Sequence, residues 1–303
     1  MATNTFIKPS VVARMALANL YAQSVMLPLV HRDYENDFVQ GAGDTVTIRK
    51  PATFTAQDFN ESVGTQAQNI TETSVAVTLQ YHKDITINIG AKERALDIKD
   101  LQEQVITPVM EAHALAVDQA ILLEKNNIVQ EVGVNGGATQ GINGTNSWDW
   151  DNPRVLIDAK RVLNHRNVPQ SERYVVVGPT TAAKWEGDDL LTKASDRGDI
   201  RGRTDAYLGS RLFGFEPYET TNISEADEVS LAFHRTAIAF VSRPLMLPEG
   251  AARSEYAQYK GVGVRVVWDY NSQYKRDEIS FDLIFGTKTL DANRATVIYG
   301  SAS

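Results

Sequence analysis

The sequence predicts an α+β fold in which an extended β-hairpin arm and a long helix lead into a mixed α/β region. Three observations carry this prediction. Residues 43–89 alternate like strands at both ends but have a polar middle, residues 97–128 repeat apolar side chains every three or four positions, and the chain after residue 228 is rich in alternating strands. The order of these elements predicts more about function than any single motif does.

Composition bounds the class of protein. The chain has 303 residues, of which 43% are hydrophobic and 22% charged, so we expect a folded protein of one large or two moderate domains with a sizeable core. It contains no cysteine, no run of about 18 apolar residues and no basic, apolar N-terminal signal. We therefore expect a cytoplasmic site of synthesis without a membrane span. A net charge of −8 argues against sequence-specific nucleic-acid binding.

The N-terminal segment, residues 9–30, predicts an amphipathic helix. Apolar side chains such as Val12 and Leu20 recur at helical spacing, Ser10 can cap the first turn, and Pro28 can end the last one. The helix is expected to form an arm rather than a domain.

The arm that follows should be a long two-stranded ribbon. Thr45–Arg49 and Ser74–Leu79 alternate, and the polar stretch Pro51–Thr73 between them has almost nothing to bury. A further strand is predicted at Asp84–Ile89. The three residues His82, Lys83 and Asp84 are expected to form a solvated turn at its start, because isolated His and Asp residues are mostly exposed.

Residues 97–128 give the strongest helical pattern of the chain. The apolar positions are 98, 101, 105, 109, 112, 116, 120 and 123. Thr107 and Pro108 can begin a second helix or mark a kink. We favour one long helix bent at Pro108, because the apolar stripe keeps its phase across the proline.

The second half of the chain mixes helices and strands. The glycine-rich segment 133–144 predicts a surface hairpin, since it carries no lysine for a phosphate loop. A helix follows Pro153, and after it come a buried strand in RYVVVGP, a short helix in TTAAKWEGDDLLTKA, a long irregular loop ending in a strand, and later strands at Gly263–Tyr270, Asp277–Ile284 and Ala295–Tyr299.

Residues for catalysis do not form any known pattern. The five histidines make no HExxH or other zinc spacing, and the chain has no GxSxG, Walker A or strand–GxGxxG–helix motif. The sequence therefore predicts no catalytic, cofactor-binding or metal site, and no enzyme.

The order of parts resembles the major capsid proteins of tailed phages with the Hong Kong 97-like fold, and is most similar to the P twenty-two coat-protein family. The segments that carry the resemblance are VHRDYENDF, GDTVTIRKP, ETSVAVTL, KERALDIKDLQEQVITPVMEAHALAVD, LFGFEPYETTNI, AFHRTAIAFVSRPL and GVGVRVVWDYNSQYKRDEISFDLIFGTKTL. They cover most of the chain in the order that this family shows.

The resemblance implies a division of the chain and a set of contacts between subunits. The implied parts are an N-terminal arm (1–42), an extended β-hairpin or E-loop (43–89), a peripheral domain with a long spine helix (90–154), an axial domain (155–260) and returning peripheral strands (261–303). The implied contact residues are Arg49, Lys50, Phe54, Asp58, Phe59 and Glu61 of the E-loop, Arg14 and Tyr21 of the N-terminal arm, and Arg201, Arg203 and Tyr207 of an axial loop.

The implied function is self-assembly into hexamers and pentamers of an icosahedral shell, built in the host cytoplasm and found in the virion. The implied partners are other copies of the chain, a separate scaffolding protein, a portal protein, a decoration protein and double-stranded DNA held without sequence-specific contacts. The N-terminal helix is expected to swing when the shell expands. Alternatives are an encapsulin-type compartment shell and, further away, an α/β enzyme or an adhesin.

Overall fold

The structure is a computed structural model. It describes residues 9–32, 45–50, 54–59, 61–62, 64–65, 67–70, 73–90, 106–133, 148–192, 211–223, 228–243, 245–251, 253–259 and 262–300. In these residues the helices are α1 Pro9–Gln23, α2 Thr107–Leu123, α3 Val155–His165, α4 Pro179–Glu186 and α5 Asp189–Thr192. The strands are β1 Thr45–Lys50, β2 Thr73–Thr78, β3 Tyr81–Gly90, β4 Glu131–Val132, β5 Arg173–Val177, β6 Glu216–Glu219, β7 Val229–His234, β8 Ile238–Arg243, β9 Arg253–Tyr259, β10 Val262–Asn271, β11 Arg276–Thr289 and β12 Ala295–Tyr299.

The first sheet is antiparallel and has the order β3-β11-β10-β9, with β8 paired to the far end of β11. Strand β11 is its centre, because its 14 residues are long enough to pair with β3 along one edge and with β10 and then β8 along the other. The alternation that predicted the strands of this sheet reflects one face turned to the core.

The second sheet has the order β4-β12-β7-β5-β6. β5 runs parallel to β6 and antiparallel to β7, and β12 joins β7 to the short strand β4. β7 is buried along its whole length, and its polar residues Ser230 and His234 are buried together with its apolar ones.

The sheets do not divide the chain at residue 260. β8 and β9 precede that point but belong to the first sheet, whereas β12 follows it and belongs to the second. Five strand pairings join segments on opposite sides of residue 260. The division into peripheral and axial domains that the resemblance implies stays a prediction.

The main core lies where α1 and α2 pack against both sheets. Its buried side chains include Val12 and Leu20 of α1, Val117 of α2, Phe281 of the first sheet and Leu231 of the second. A second core packs α3 and α4 on the second sheet around Trp185, whose Nε1 donates a 2.8 Å hydrogen bond to Trp150 O. The part of the chain that is described contains no helix able to cross a membrane.

The N-terminal helix ends at Gln23, before the predicted stop at Pro28. Residues 24–30 instead form turns that are held by the buried carboxylate of Asp118 on α2. Asp118 accepts hydrogen bonds from Ser24 Oγ, from Val25 N at 2.9 Å and from Met26 N at 3.1 Å. Burial raises the pKa of Asp118, and these donors oppose the shift. Helix α1 is thus a fixed part of the core in this structure, and a swinging motion would expose its buried face.

The described part of the long helix starts at Thr107, with Pro108 in its first turn, and residues 97–105 of the predicted helix lie outside the described residues. Its buried face runs through Met110, His113, Val117 and Ile121, and includes Ala114 and Asp118. The predicted stripe was wrong at positions 112 and 123, which are exposed. The error arose because the polar residues His113 and Asp118 occupy the buried face of the helix, whereas the apolar residues Ala112 and Leu123 lie on its exposed face.

Several strand predictions are confirmed. β12 has the predicted bounds, and β10 and β11 extend both predicted strands by a few residues. β9 was not predicted. The turn predicted at His82 is wrong, because β3 begins at Tyr81 and pairs with β11 as far as Phe285, but His82 is solvent-exposed as predicted.

Candidate assembly surfaces

The base of the arm has a small core of its own. β1 and β2 pair in antiparallel register from Thr45 opposite Thr78 to Lys50 opposite Thr73. One face of this ribbon buries Val46, Ile48 and Val77 against Ala239, Val241 and Leu290. An isolated two-stranded ribbon is marginally stable in water, so this contact with β8 anchors the arm to the body of the protein.

Gly286 of β11 makes the close approach of the arm to the first sheet possible. A Cβ atom at this position would meet the backbone carbonyl of Thr78. The bare backbone of glycine lets the end of β2 cross β11 at this point. The position of the arm is therefore set by backbone contact as well as by the apolar base.

The distal part of the arm is exposed wherever it is described. Phe54, Phe59 and Ile70 expose 62%, 67% and 69% of their surface. The amide of Gln68 bridges the two legs of the arm, because its Oε1 accepts from Thr55 N and its Nε2 donates to Thr55 O. This two-way contact replaces a pair of ladder hydrogen bonds and holds the legs together without a core. The arm thus presents large apolar side chains that nothing within the described chain covers.

The predicted contact residues fall into three groups. Phe54, Asp58, Phe59 and Glu61 are exposed on the arm, and Arg14 is exposed on α1. Arg49 and Lys50 lie in β1, and Tyr21 lies in α1. The structure describes only the backbone at these three positions. Arg201, Arg203 and Tyr207 lie outside the described residues, so the axial loop stays a prediction.

A second exposed surface is the tip of the β10–β11 hairpin. Tyr270 and Tyr274 expose 53% and 61% of their surface, and the guanidinium of Arg276 lies 4.8 Å from the Tyr274 ring centroid. Asn271 shapes the loop, because its Oδ1 accepts hydrogen bonds from Gln273 N and Tyr274 N. The tip is an ordered aromatic surface at the end of a long hairpin.

Charged residues cross the outer face of the first sheet next to this hairpin. Asp282, which is 6% exposed, accepts hydrogen bonds at its Oδ2 from Arg265 Nε at 2.9 Å and Nη2 at 2.6 Å. His82 Nε2 lies 3.5 Å from Asp282 Oδ1, and Asp84 stands directly opposite Asp282 in the β3–β11 register. Partial desolvation raises the pKa of Asp84, and Asp282 adds to this shift.

Arg265 also fixes the segment that follows β8. Its Nη1 donates a 2.6 Å hydrogen bond to Met246 O, and the Met246 side chain is 83% exposed. The segment around Met246 is therefore a third surface with an uncovered apolar side chain.

The sequence prediction of contact residues missed Met246, Tyr270 and Tyr274. The two tyrosines had a visible signal, since Tyr270 ends a predicted strand and Tyr274 lies in the polar loop Asn271–Arg276 that follows it. Met246 had none, because its exposure depends on the hydrogen bond from Arg265, nineteen positions later in the chain.

The described residues hold no group of three or more His, Cys, Asp or Glu side chains that could bind a metal ion. Sequence comparisons do not identify a family. No protein-family model matches the chain, and no curated protein matches it.

Solved structures do match over nearly the whole chain. A protein in a structure of Mycobacterium phage Che8 has a TM-score of 0.64 and 22% identity, with 91% of this chain and 90% of that chain covered. A protein in the capsid structure of cyanophage P-SCSP1u has a TM-score of 0.61 and 13% identity, with coverages of 86% and 85%. A protein in the virus-like particle from Pyrococcus furiosus has a TM-score of 0.53 and 13% identity, with coverages of 95% and 97%.

These matches are similarities of fold, because the identities are low. The three matches cover between 86% and 95% of this chain, and the matching structures include capsids of several phages. The chain therefore has the Hong Kong 97-like α+β fold of phage capsid proteins.

Proposed function

We propose that this chain is the major capsid protein of a tailed phage, and that it assembles into hexamers and pentamers of an icosahedral shell around double-stranded DNA. The observation that carries the proposal is the fold match over about nine-tenths of both chains. The similarity of individual segments to the P twenty-two coat-protein family stays a prediction. The proposed role is structural rather than enzymatic.

The arm is the main assembly element in this proposal. Burying a fully exposed phenylalanine side chain contributes about 1.5–3 kcal/mol. Phe54 and Phe59 have 62% and 67% of their surface left to bury, so each contributes about 1–2 kcal/mol when a partner covers it. A single such contact is weak, but every subunit of a closed shell makes it, and the contacts add through multivalency. The covering surface would belong to a neighbouring copy of the chain.

The buried face of α1 refines the expected mechanism of shell expansion. Val12, Ala13, Ala16 and Leu20 have no exposed surface, so moving the helix as an arm would expose all four. We infer that α1 stays with the core and that motion during expansion involves the β-hairpin arm, whose distal part makes few contacts. A separate scaffolding protein, a portal and a decoration protein complete the proposed set of partners.

Assembly is tested by expressing the chain with and without a candidate scaffolding protein and imaging the products by negative-stain electron microscopy. We expect closed shells or hexamer rings. A chain that stays monomeric at high concentration under both conditions would refute the proposed function.

The role of the arm is tested with Phe54→Ser and Phe59→Ser combined. Because both side chains are already exposed, the variant should unfold at the same urea concentration as the wild type but fail to form shells. Val129→Ser removes an apolar side chain that is 75% exposed elsewhere and serves as the matched control. Replacing residues 55–70 by an Asn-Gly turn should have the same effect. Normal shells from the double variant would show that the arm does not carry assembly.

A compartment shell that holds an enzyme instead of a genome is the second candidate. The match to a virus-like particle from Pyrococcus furiosus, which covers 97% of that chain with a TM-score of 0.53, is the observation that supports this alternative. The cargo distinguishes the two functions. Shells that fill with DNA in the presence of a portal support the phage protein, and shells that retain a host or operon-encoded enzyme through a terminal peptide support the compartment.

A further inference from the structure

A cationic pocket lies between α3 and two tight turns of the second sheet. It has a cavity volume of about 340 Å³. Its described lining residues are Lys160, Gln170, Ser171, Arg173, Arg211 and Gly214. Three of these are cations and none is acidic, although the chain as a whole carries a net charge of −8. Such a concentration of one sign of charge in an acidic protein points to an anionic ligand.

The pocket is built on rigid backbone. Leu212 and Phe215 exchange backbone hydrogen bonds of 2.7 and 2.9 Å, and the turn between them has positive φ at Phe213 and Gly214. This turn fixes Arg211 at its start. A Cβ at Gly214 would lie 3.8 Å from Lys160 Nζ, so the lysine amine rests beside this turn.

Arg173 is the buried wall of the pocket. It exposes only 1% of its surface, and its Nε and Nη2 donate to Pro169 O, to Val168 O and to Asn164 Oδ1. These contacts lock the guanidinium in place and leave Nη1 with no partner among the described residues. A preorganised donor of this kind binds an oxyanion with little loss of side-chain entropy.

The charges of the pocket lack counter-ions in the described chain. Arg211 Nη2 donates to a neutral acceptor, Gln170 O, and Lys160 has no hydrogen bond or ion pair with any described residue. Glu172, the nearest acid in sequence, pairs with Arg235 instead. Burial lowers the pKa of Arg173, and the neighbouring charge of Arg211 lowers it further, as expected for cations held together without an anion.

A second depression continues the pocket along α3. It has a cavity volume of about 450 Å³ and is lined by Ile157, Lys160, Arg161, Asn164 and His165. Lys160 lines both depressions. The two depressions form an elongated groove with cations along it, of which Arg161 also pairs with Asp158 at 3.5 Å. An elongated groove suits a chain of phosphates better than a single small anion.

We propose that this groove binds phosphate groups, with the backbone of double-stranded DNA as the ligand. The identification of a phosphate site depends only on the geometry of one chain. The choice of DNA as its source rests on the proposed function. Arg211 and Lys160 contact the phosphate oxygens, and Arg173 supplies the fixed donor beneath them. The contact involves no base edge and therefore carries no sequence specificity.

The test uses the full, unassembled chain and a short fluorescent DNA duplex, with binding followed by fluorescence anisotropy as a function of salt. With three phosphate contacts, log K should fall with log salt at a slope of about −2.7. Lys160→Gln combined with Arg211→Gln should weaken binding about tenfold or more, since each change removes a charge-assisted hydrogen bond. The one remaining phosphate contact should leave a slope of about −0.9.

The matched control removes the same two charges elsewhere. Arg253 and Lys288 are exposed on the first sheet, and Arg253→Gln with Lys288→Gln should change the affinity by less than about twofold, because distant surface charges are screened. All four side chains lie at or near the surface, and unchanged urea midpoints will show that both variants fold.

Competition with inorganic phosphate and with acetate at equal ionic strength separates the possible ligands. Displacement of the duplex by phosphate but not by acetate supports the DNA backbone. Binding of phosphate without binding of the duplex supports the phosphate site with free phosphate as its source. Equal losses in the two double variants, equal displacement by acetate, or binding of neither probe would overturn the proposal. Because the chain is unassembled throughout, this result is independent of whether it forms shells.

Discussion

Replacing Asp118 by asparagine tests whether the N-terminal helix is locked to the core. The carboxylate is 2% exposed and holds the chain just after α1. Its Oδ1 accepts from Ser24 Oγ and Met26 N, and its Oδ2 accepts from Val25 N at 2.9 Å. Asparagine keeps the shape of the side chain and one acceptor oxygen. Its amide nitrogen then faces a backbone N–H that needs an acceptor.

The expected cost follows from these contacts. A hydrogen bond to a charged group contributes about 1.5–3 kcal/mol, and a buried N–H left without an acceptor is itself unfavourable. Asp118→Asn should therefore lower the free energy of unfolding by about 2–3 kcal/mol near neutral pH. Asp118→Ala removes all three contacts and should cost more, about 3–5 kcal/mol.

Urea unfolding of the full chain, followed by tryptophan fluorescence, measures this loss as a shift in the midpoint at constant slope. Asp151→Asn is the matched control, since Asp151 is exposed, and it should stay within about 0.5 kcal/mol of the wild type. A midpoint for Asp118→Asn equal to that of the control would refute the view that this carboxylate locks α1 to α2.

Three further outcomes are expected. Gly286→Ala should destabilise the protein by about 1–3 kcal/mol and displace the arm, whereas Gly250→Ala, with no atom near the added methyl, should be neutral; equal urea midpoints would contradict this. Burial lowers the pKa of His113, so the unfolded state takes up the proton first and stability should fall as the pH drops below about 6.5; His113→Gln should flatten this fall, and identical pH profiles would count against it. Arg265→Met should cost about 3 kcal/mol by leaving Asp282 buried without its cation, and a second change of Asp282 to Leu should recover most of the loss in a double-mutant cycle.

The sequence predicted those elements whose pattern is local. β12 and the β10–β11 hairpin alternate strongly, and the structure confirms both. The polar middle of the arm, which has no core to bury, is exposed wherever it is described. These features depend on which side chains face water, and that information is present in a window of about ten residues.

Errors occurred where a distant part of the chain decides the environment. His82 looked like a turn residue, but the length of β11 extends β3 to include it. His113 and Asp118 broke the apolar stripe of α2 because their polar atoms are satisfied by Phe281 O and by the turn after α1. A polar side chain can occupy a buried position when a partner elsewhere in the fold satisfies it.

The candidate surfaces divide in the same way. The resemblance to phage capsid proteins implied Phe54, Asp58, Phe59 and Glu61 of the arm as contact residues, and all four are exposed. No local pattern in the sequence predicted the pocket around Arg173. Its cations come from α3, from the start of β5 and from the turn at Arg211, and only folding brings them together.

The sequence by itself determined the class of fold, the order of arm, helix and strands, and the exposure of the arm, since each follows from local periodicity and composition. The tertiary structure alone decided that α1 belongs to the core, that the two sheets exchange strands across residue 260, and that cations gather in an acidic protein. These properties arise from contacts between residues far apart in sequence. Their energies depend on the partner that folding supplies, and no local pattern encodes that partner.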